Sequence, residues 1–223
     1  MLPFVVRAVP VKSAPPSRRA RPSSPPHPRS RLDVDERRAQ LLALGLAMFS
    51  ERSYDEVSID ELARAAGVSK GLLYHYFPTK RDLYVAALGR AAGQLLDETT
   101  LARDAPPDER LRRGLETYLD FVTRHGKAYV ALMRGGIGSD PEVAAILEET
   151  RSTFATRILL DVPHEIDKPL VRIALRGWIG FVEATSLDWV ASRSVSRDDL
   201  VALLSAMLFD AVTKAGVVAA APA

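Results

Sequence analysis

The 223-residue chain contains no cysteine. Disulfide frameworks, thiolate zinc sites and iron–sulfur ligation are thereby excluded, and a reducing, cytoplasmic setting is the expectation. Histidine is scarce as well: His27, His75, His125 and His164 are dispersed, with no partner at i, i+4, so no metal site is expected. No H-E-x-x-H or cysteine nucleophile is present, and the scattered carboxylates define no acid/base pair, so neither catalytic residues nor a cofactor are expected. Gly135-Gly136-Ile137-Gly138 lacks both a preceding strand and a following Lys-Ser/Thr, and reads as a helix connection rather than a phosphate loop. Sustained period-two alternation and solenoid repeats are also missing.

Long uninterrupted apolar runs are lacking too. The longest, PLVRIALRGWIGFVEATSLDWVAS at 169–192, is broken by Arg172, Arg176, Glu183 and Asp188, too charged to span a bilayer. No membrane partner is expected. Acid is missing from one place in particular: residues 1–32 hold seven Lys/Arg, no Asp or Glu and eight of the fifteen prolines. The remainder therefore carries −5, the difference between +2 overall and +7 in this segment. Proline-rich, aromatic-poor sequence buries too little apolar surface to offset chain entropy, so 1–32 is expected to be a disordered tail without a secretion signal.

What is present is helical. Leu42, Leu46 and Phe49 share one face, as do Leu111, Leu115, Tyr118 and Val122, and then Val143, Leu147, Thr150, Phe154 and Ile158. Proline- or glycine-bearing breaks at 105–107, 135–141, 161–163 and 167–169, with the serine-rich SRSVS at 192–196, divide the chain into about nine helices, an all-α fold. Ser58 with Glu61 makes an S-x-x-E capping box, and Ser196 with Asp199 a second of the same kind. The expected organisation is 33–82 as an N-terminal three-helix domain, 83–216 as a larger helical domain and 217–223 as a flexible end.

Within 58–83, a capped helix SIDELARAA ends at Gly67, and a second short helix follows with Ser69 as its N-cap. Two short helices around a glycine-containing turn form a helix-turn-helix. Ile59, Leu62, Ala63, Ala66, Val68, Leu73 and Phe77 can make a small core, which leaves Lys70, Gly71, Tyr74 and His75 facing outward. Between Leu62 and Arg81 lie four Lys/Arg and no acid, so the positive charge is local. Such a surface suits DNA: the N-terminal residues of a recognition helix meet base edges while hydroxyls, lysines and helix N-termini bind phosphates.

FSERSYDEVSIDELARAAGVSKGLLYHYFPTKRDLYVAAL, at 49–88, resembles the amino-terminal DNA-binding domain of TetR-family transcriptional regulators almost position by position. The resemblance implies phosphate contacts from Ser58, Tyr74, Tyr76 and Lys80 and base-proximal positions for Lys70, Gly71 and His75. Ser69, Leu72 and Thr79 complete the expected DNA-binding set. One departure is Ser53, where the family often has glycine after helix one; a left-handed serine there costs about 1 kcal/mol.

The resemblance further implies a homodimer on a palindromic operator, acting as a repressor relieved by a small apolar or amphipathic effector in the carboxy-terminal domain. Tyr118, Phe121, Tyr129, Met133, Phe154, Trp178 and Phe181 are the expected pocket residues, although aromatics at such spacing also make plain core. Arg176 and Glu183, inside the apolar stretch, are expected in structural ion pairs. Gly177, Ala184 and Ala191 recur every seven positions, allowing a second helix close approach. With Leu200, Leu204, Met207, Leu208 and Ala211 they form the expected dimer interface. A helical enzyme and a pure interaction module are the competing function classes.

Overall fold

The computed structural model describes residues 31–100, 105–134, 140–163 and 169–220. The expected disordered tail and the glycine run at 135–138 therefore fall outside the described residues, apart from the first positions of the opening helix. Among those described, all regular structure is helical: α1 Arg31–Glu51, α2 Ile59–Ala65, α3 Lys70–Tyr76, α4 Lys80–Glu98, α5 Pro107–Arg124, α6 Gly126–Arg134, α7 Pro141–Leu159, α8 Pro169–Ser192 and α9 Arg197–Ala220.

Helix starts follow local chemistry. Proline opens α5, α7 and α8, where its missing N–H is harmless and its fixed φ already helical. Ser58 and Glu61 close the anticipated capping box on α2, and Thr79 with Asp82 closes another on α4. Backbone and hydroxyl donation from Ser58, together with Arg52, holds the Glu61 carboxyl down at about 2. Gly67 adopts φ +64 between α2 and α3, the left-handed turn that favours glycine. Ser53 does not share that conformation. Its N–H and hydroxyl each donate to Glu56 Oε2 at 2.8 Å, and this local turn makes the expected strain unnecessary.

Two principal cores organise the molecule. In the first, Leu41, Leu42, Phe49, Val57, Leu62, Leu73 and Phe77 pack with Leu83, Tyr84 and Ala87 of α4, and Leu132 and Val143 from later helices join them. The expected boundary at residue 82 thus falls inside a continuous helix. The second core joins α5, α8 and α9 through Leu115, Leu119, Leu175, Trp178, Ile179 and Val182. Leu200, Leu204 and Leu208 belong to this core and are buried within the protomer, not at an outer interface. Trp178 Nε1 donates to the Leu204 carbonyl at 2.8 Å, fixing α8 against α9. The α9 segment Arg197–Ala219 is long and apolar enough to cross a membrane by length and composition, yet it contributes these residues to a protein core. Residues 217–220, expected to be flexible, continue α9.

His125 caps the end of α5 and ties it to α1: its Nδ1 lies 2.9 Å from Ser50 Oγ. Burial, reinforced by Arg124, lowers the pKa of the ring. A histidine harder to protonate in the folded than in the unfolded state makes stability fall as pH drops below its unfolded value of about 6.5. Urea midpoints at pH 7.5 and 5.5 should therefore differ more for the natural protein than for His125→Gln, and equal differences would show that His125 does not govern this dependence.

Candidate nucleic-acid interface and effector cavity

The short helix α3 is anchored by one face and open on the other. Leu73 and the C-cap Phe77 are buried, whereas Leu72 and Tyr74 are 39% and 44% exposed, and Lys70, Gly71 and His75 are also exposed. Ser69 Oγ accepts from the Leu72 N–H at 3.1 Å, fixing the helix start. Lys70 pairs with Asp60 of α2; both are more than half exposed, so the pair is weak and open to exchange. Ser58 and Thr79 are exposed caps, and Tyr76 is half-buried with its ring nearly perpendicular to that of His75.

Lys80 differs from its expected role as an open phosphate donor. Its Nζ donates to the Tyr54 and Val57 carbonyls at 2.8 and 3.0 Å and lies 4.1 Å from the centre of the Tyr54 ring. Two of its three donors therefore hold the loop before α2 onto the start of α4. The next residue, Arg81, points elsewhere. It grips Asp140 with Nε and Nη2 at 2.6 and 2.7 Å and reaches Glu142 with Nη1 at 3.0 Å. Asp140 is also the N-cap of α7, so this forked contact, not anticipated from the sequence, joins the DNA-side end of α4 to α7.

A cavity of about 550 Å³ lies among α4–α9. Of the expected pocket residues, Tyr118, Tyr129, Met133, Phe154 and Trp178 line it. Phe121 is buried beside Ala91 and Leu95 and borders a smaller cavity of about 60 Å³, while Phe181 packs against the second core. The sequence reading missed Leu111, Gly114, Leu115, Ile158, Ile179, Val182 and Val212 as lining residues, although the α5 and α7 positions lie on the faces already marked by helical spacing. Within the wall, the Tyr118 and Tyr129 hydroxyls are 2.6 Å apart. Burial pushes Tyr118 up to about 12 and raises Tyr129 further, so both are neutral phenols. Beside them Arg151 donates through Nε and Nη2 to both oxygens of Glu183, at 2.8 and 3.0 Å. Arg176 pairs with Glu148 instead, so Arg176 and Glu183 of α8 each engage α7 and not one another.

The outer face of α8 carries Ile173, Gly177, Gly180, Ala184 and Ala191, all exposed at steps of four, three, four and seven. On α9, Met207 is 41% exposed and Ala211 half-buried.

Comparison with known proteins gives two matching family descriptions: residues 41–87 match "Bacterial regulatory proteins, tetR family" and residues 107–210 match "Tetracyclin repressor-like, C-terminal domain". The crystal structure of a TetR-family transcriptional regulator from Streptomyces coelicolor is 38% identical, with a TM-score of 0.72, over 84% of this chain and 90% of that one. The transcriptional activator FasR of Mycolicibacterium smegmatis is 36% identical over 52% of this chain, and the match spans about half, 54%, of FasR itself. The transcriptional repressor KstR of Mycobacterium tuberculosis is 27% identical over 73% of this chain and 75% of its own.

Because the Lys80 ammonium is occupied within the fold, Lys80→Met should cost about 1–3 kcal/mol of stability. Chemical denaturation measures this directly. An unchanged midpoint would mean that the carbonyl contacts contribute nothing.

Proposed function

The chain belongs to the TetR family of transcriptional regulators, and on that premise we propose that it is a homodimeric repressor whose hold on a palindromic operator is relieved by a small molecule in the α4–α9 cavity. The observation that carries this reading is α3: Leu73 and Phe77 fix the helix, while Lys70, Gly71, Leu72, Tyr74 and His75 stay exposed on its outer side. Lys70, Gly71, Leu72 and His75 are assigned to the base edges, and Ser58, Ser69, Tyr74, Tyr76 and Thr79 to phosphates. Lys80 is assigned an indirect part, holding the loop that presents Ser58. Repression, rather than activation, is favoured by the KstR match, which extends over more of the chain than the FasR match.

The dimer is assigned to the outer faces of α8 and α9. Small residues Gly177, Ala184 and Ala191 permit close helix approach, and Ile173 and Met207 supply exposed apolar surface. Two such subunits set their recognition helices about one DNA turn, 34–36 Å, apart. A ligand that shifts α7 pulls on Arg81 and so on α4, changing that separation; the coupling is reciprocal and typically about 1–3 kcal/mol.

Pull-down of genomic DNA should recover discrete operator fragments, and a reporter behind one of them should be silenced by the protein. On such a fragment Lys70→Ala should relax base preference, and Tyr74→Phe should cost about 1 kcal/mol of affinity for any sequence. Unchanged operator binding in both variants would remove α3 from the interface. Ala184→Arg, which places a charge in the proposed helix contact, should give monomers by light scattering with helix content retained; an unaltered dimer mass would move the interface elsewhere.

A further inference from the structure

The cavity is elongated. Arg110, Leu111, Gly114, Leu115 and Tyr118 line it from α5, and a matching row from Leu147 to Ile158 lines it from α7. At 1.5 Å per residue, Arg110 and Tyr118 are about 12 Å apart along α5, and Arg151 and Arg157 about 9 Å apart along α7. Polar groups gather at the two ends, with Leu111, Leu115, Phe154 and Ile158 between them. The inner end holds the Tyr118–Tyr129 pair and the Arg151–Glu183 pair, and the outer end holds Arg110, Arg157 and Asp161.

Every cation in this lining is already matched by the protein. Arg151 is held by both oxygens of Glu183. Arg110 pairs with Asp161. Arg157 donates to the Leu96 carbonyl at 2.8 Å and to Thr99 Oγ1 at 3.3 Å, at the C-terminal end of α4, where the helix dipole is negative. A carboxylate entering the inner end would meet Glu183 with no free cation to balance it. What the inner end does offer is neutral hydrogen bonding. The two phenols share one bond, and rotation of their hydroxyls presents either a donor or an acceptor to a ligand.

We propose that the cavity takes an elongated, mainly apolar molecule bearing one uncharged hydrogen-bonding group, such as an amide, ester, ketone or alcohol, seated against Tyr118 and Tyr129, and that it discriminates against the corresponding carboxylate. This rests on the effector reading above and specifies its ligand class. The discrimination has a simple source: the Arg151–Glu183 pair lets a neutral group pass beside it, whereas a carboxylate requires Glu183 to give up its partner.

Decanamide and decanoate at pH 7 differ chiefly in charge at one end and serve as probes. Binding to the full-length protein is read by calorimetry and by the fluorescence of Trp178, which lines the cavity. Decanamide should bind at least about tenfold more tightly than decanoate. Tyr129→Phe, a near-isosteric change, should weaken decanamide about tenfold while leaving decanoate within about threefold. Glu183→Gln, which leaves Arg151 uncompensated, should raise decanoate affinity about tenfold.

Decanoate binding as tightly as decanamide, a decanamide affinity indifferent to Tyr129→Phe, or failure of both probes to bind would each overturn the proposal. So would decanoate affinity lost in Arg157→Ala but unmoved by Glu183→Gln, because the acid would then be seated at the outer end. Operator affinity, measured separately with decanamide bound, keeps the two readings apart. Selective binding that left DNA affinity unchanged would sustain the ligand class and overturn the regulatory role, whereas release of DNA by decanoate alone would do the reverse.

Discussion

Two adjacent cations at the first turn of α4 hold the molecule together across its functional division. Lys80 turns toward the helix-turn-helix, giving two hydrogen bonds to the carbonyls of Tyr54 and Val57. Arg81 turns toward α7 and forks onto Asp140. Successive residues on a helix point about 100° apart, so a single turn can grip two bodies at once. Remaining apolar contacts reinforce the arrangement: Tyr84 packs edge-on against Phe49 and Tyr54, while Leu83 lies against Gly45 of α1 at 3.2 Å from where a β-carbon would stand. A helix fixed so firmly at its start behaves as a lever more than as a linker.

The other end of that lever borders the cavity. Leu95 lines it from α4, beside the C-cap Thr99, and α7, which starts at the cap that Arg81 holds, lines it from Leu147 to Ile158. Tyr129 borders both the large cavity and the small one, whose wall also includes Phe49 and Tyr84 of the first core. The cavity wall and the base of the helix-turn-helix thus share side chains. Packed interiors do not deform continuously, so a change at such a shared wall is passed on as a shift of whole helices.

Electrostatics divides along the same lines. Charges at the cavity are paired or placed at a helix end, so the wall leaves none of them without a partner. On α3 the opposite holds: Lys70 is more than half exposed and pairs with an exposed aspartate, a contact weak enough to exchange at little cost.

The sequence by itself determined the all-α class, the caps at Ser58 and Ser69, the glycine turn at Gly67 and the outward set on α3, because these depend on residues within a few positions of one another. It also carried the family assignment. It did not show that Lys80 reaches the Tyr54 and Val57 carbonyls, or that Leu200, Leu204 and Leu208 face the protomer's own core, because these directions depend on neighbours far along the chain. Helical spacing says which residues share a face, but not whether that face meets the protomer's own core or another surface. Ser53 was misjudged for a nearer reason, since family habit masked the bond it makes to Glu56. Only tertiary structure could bring Arg81 to Asp140, Arg151 to Glu183 and Tyr118 to Tyr129, contacts that depend on how separate helices pack and not on any local spacing.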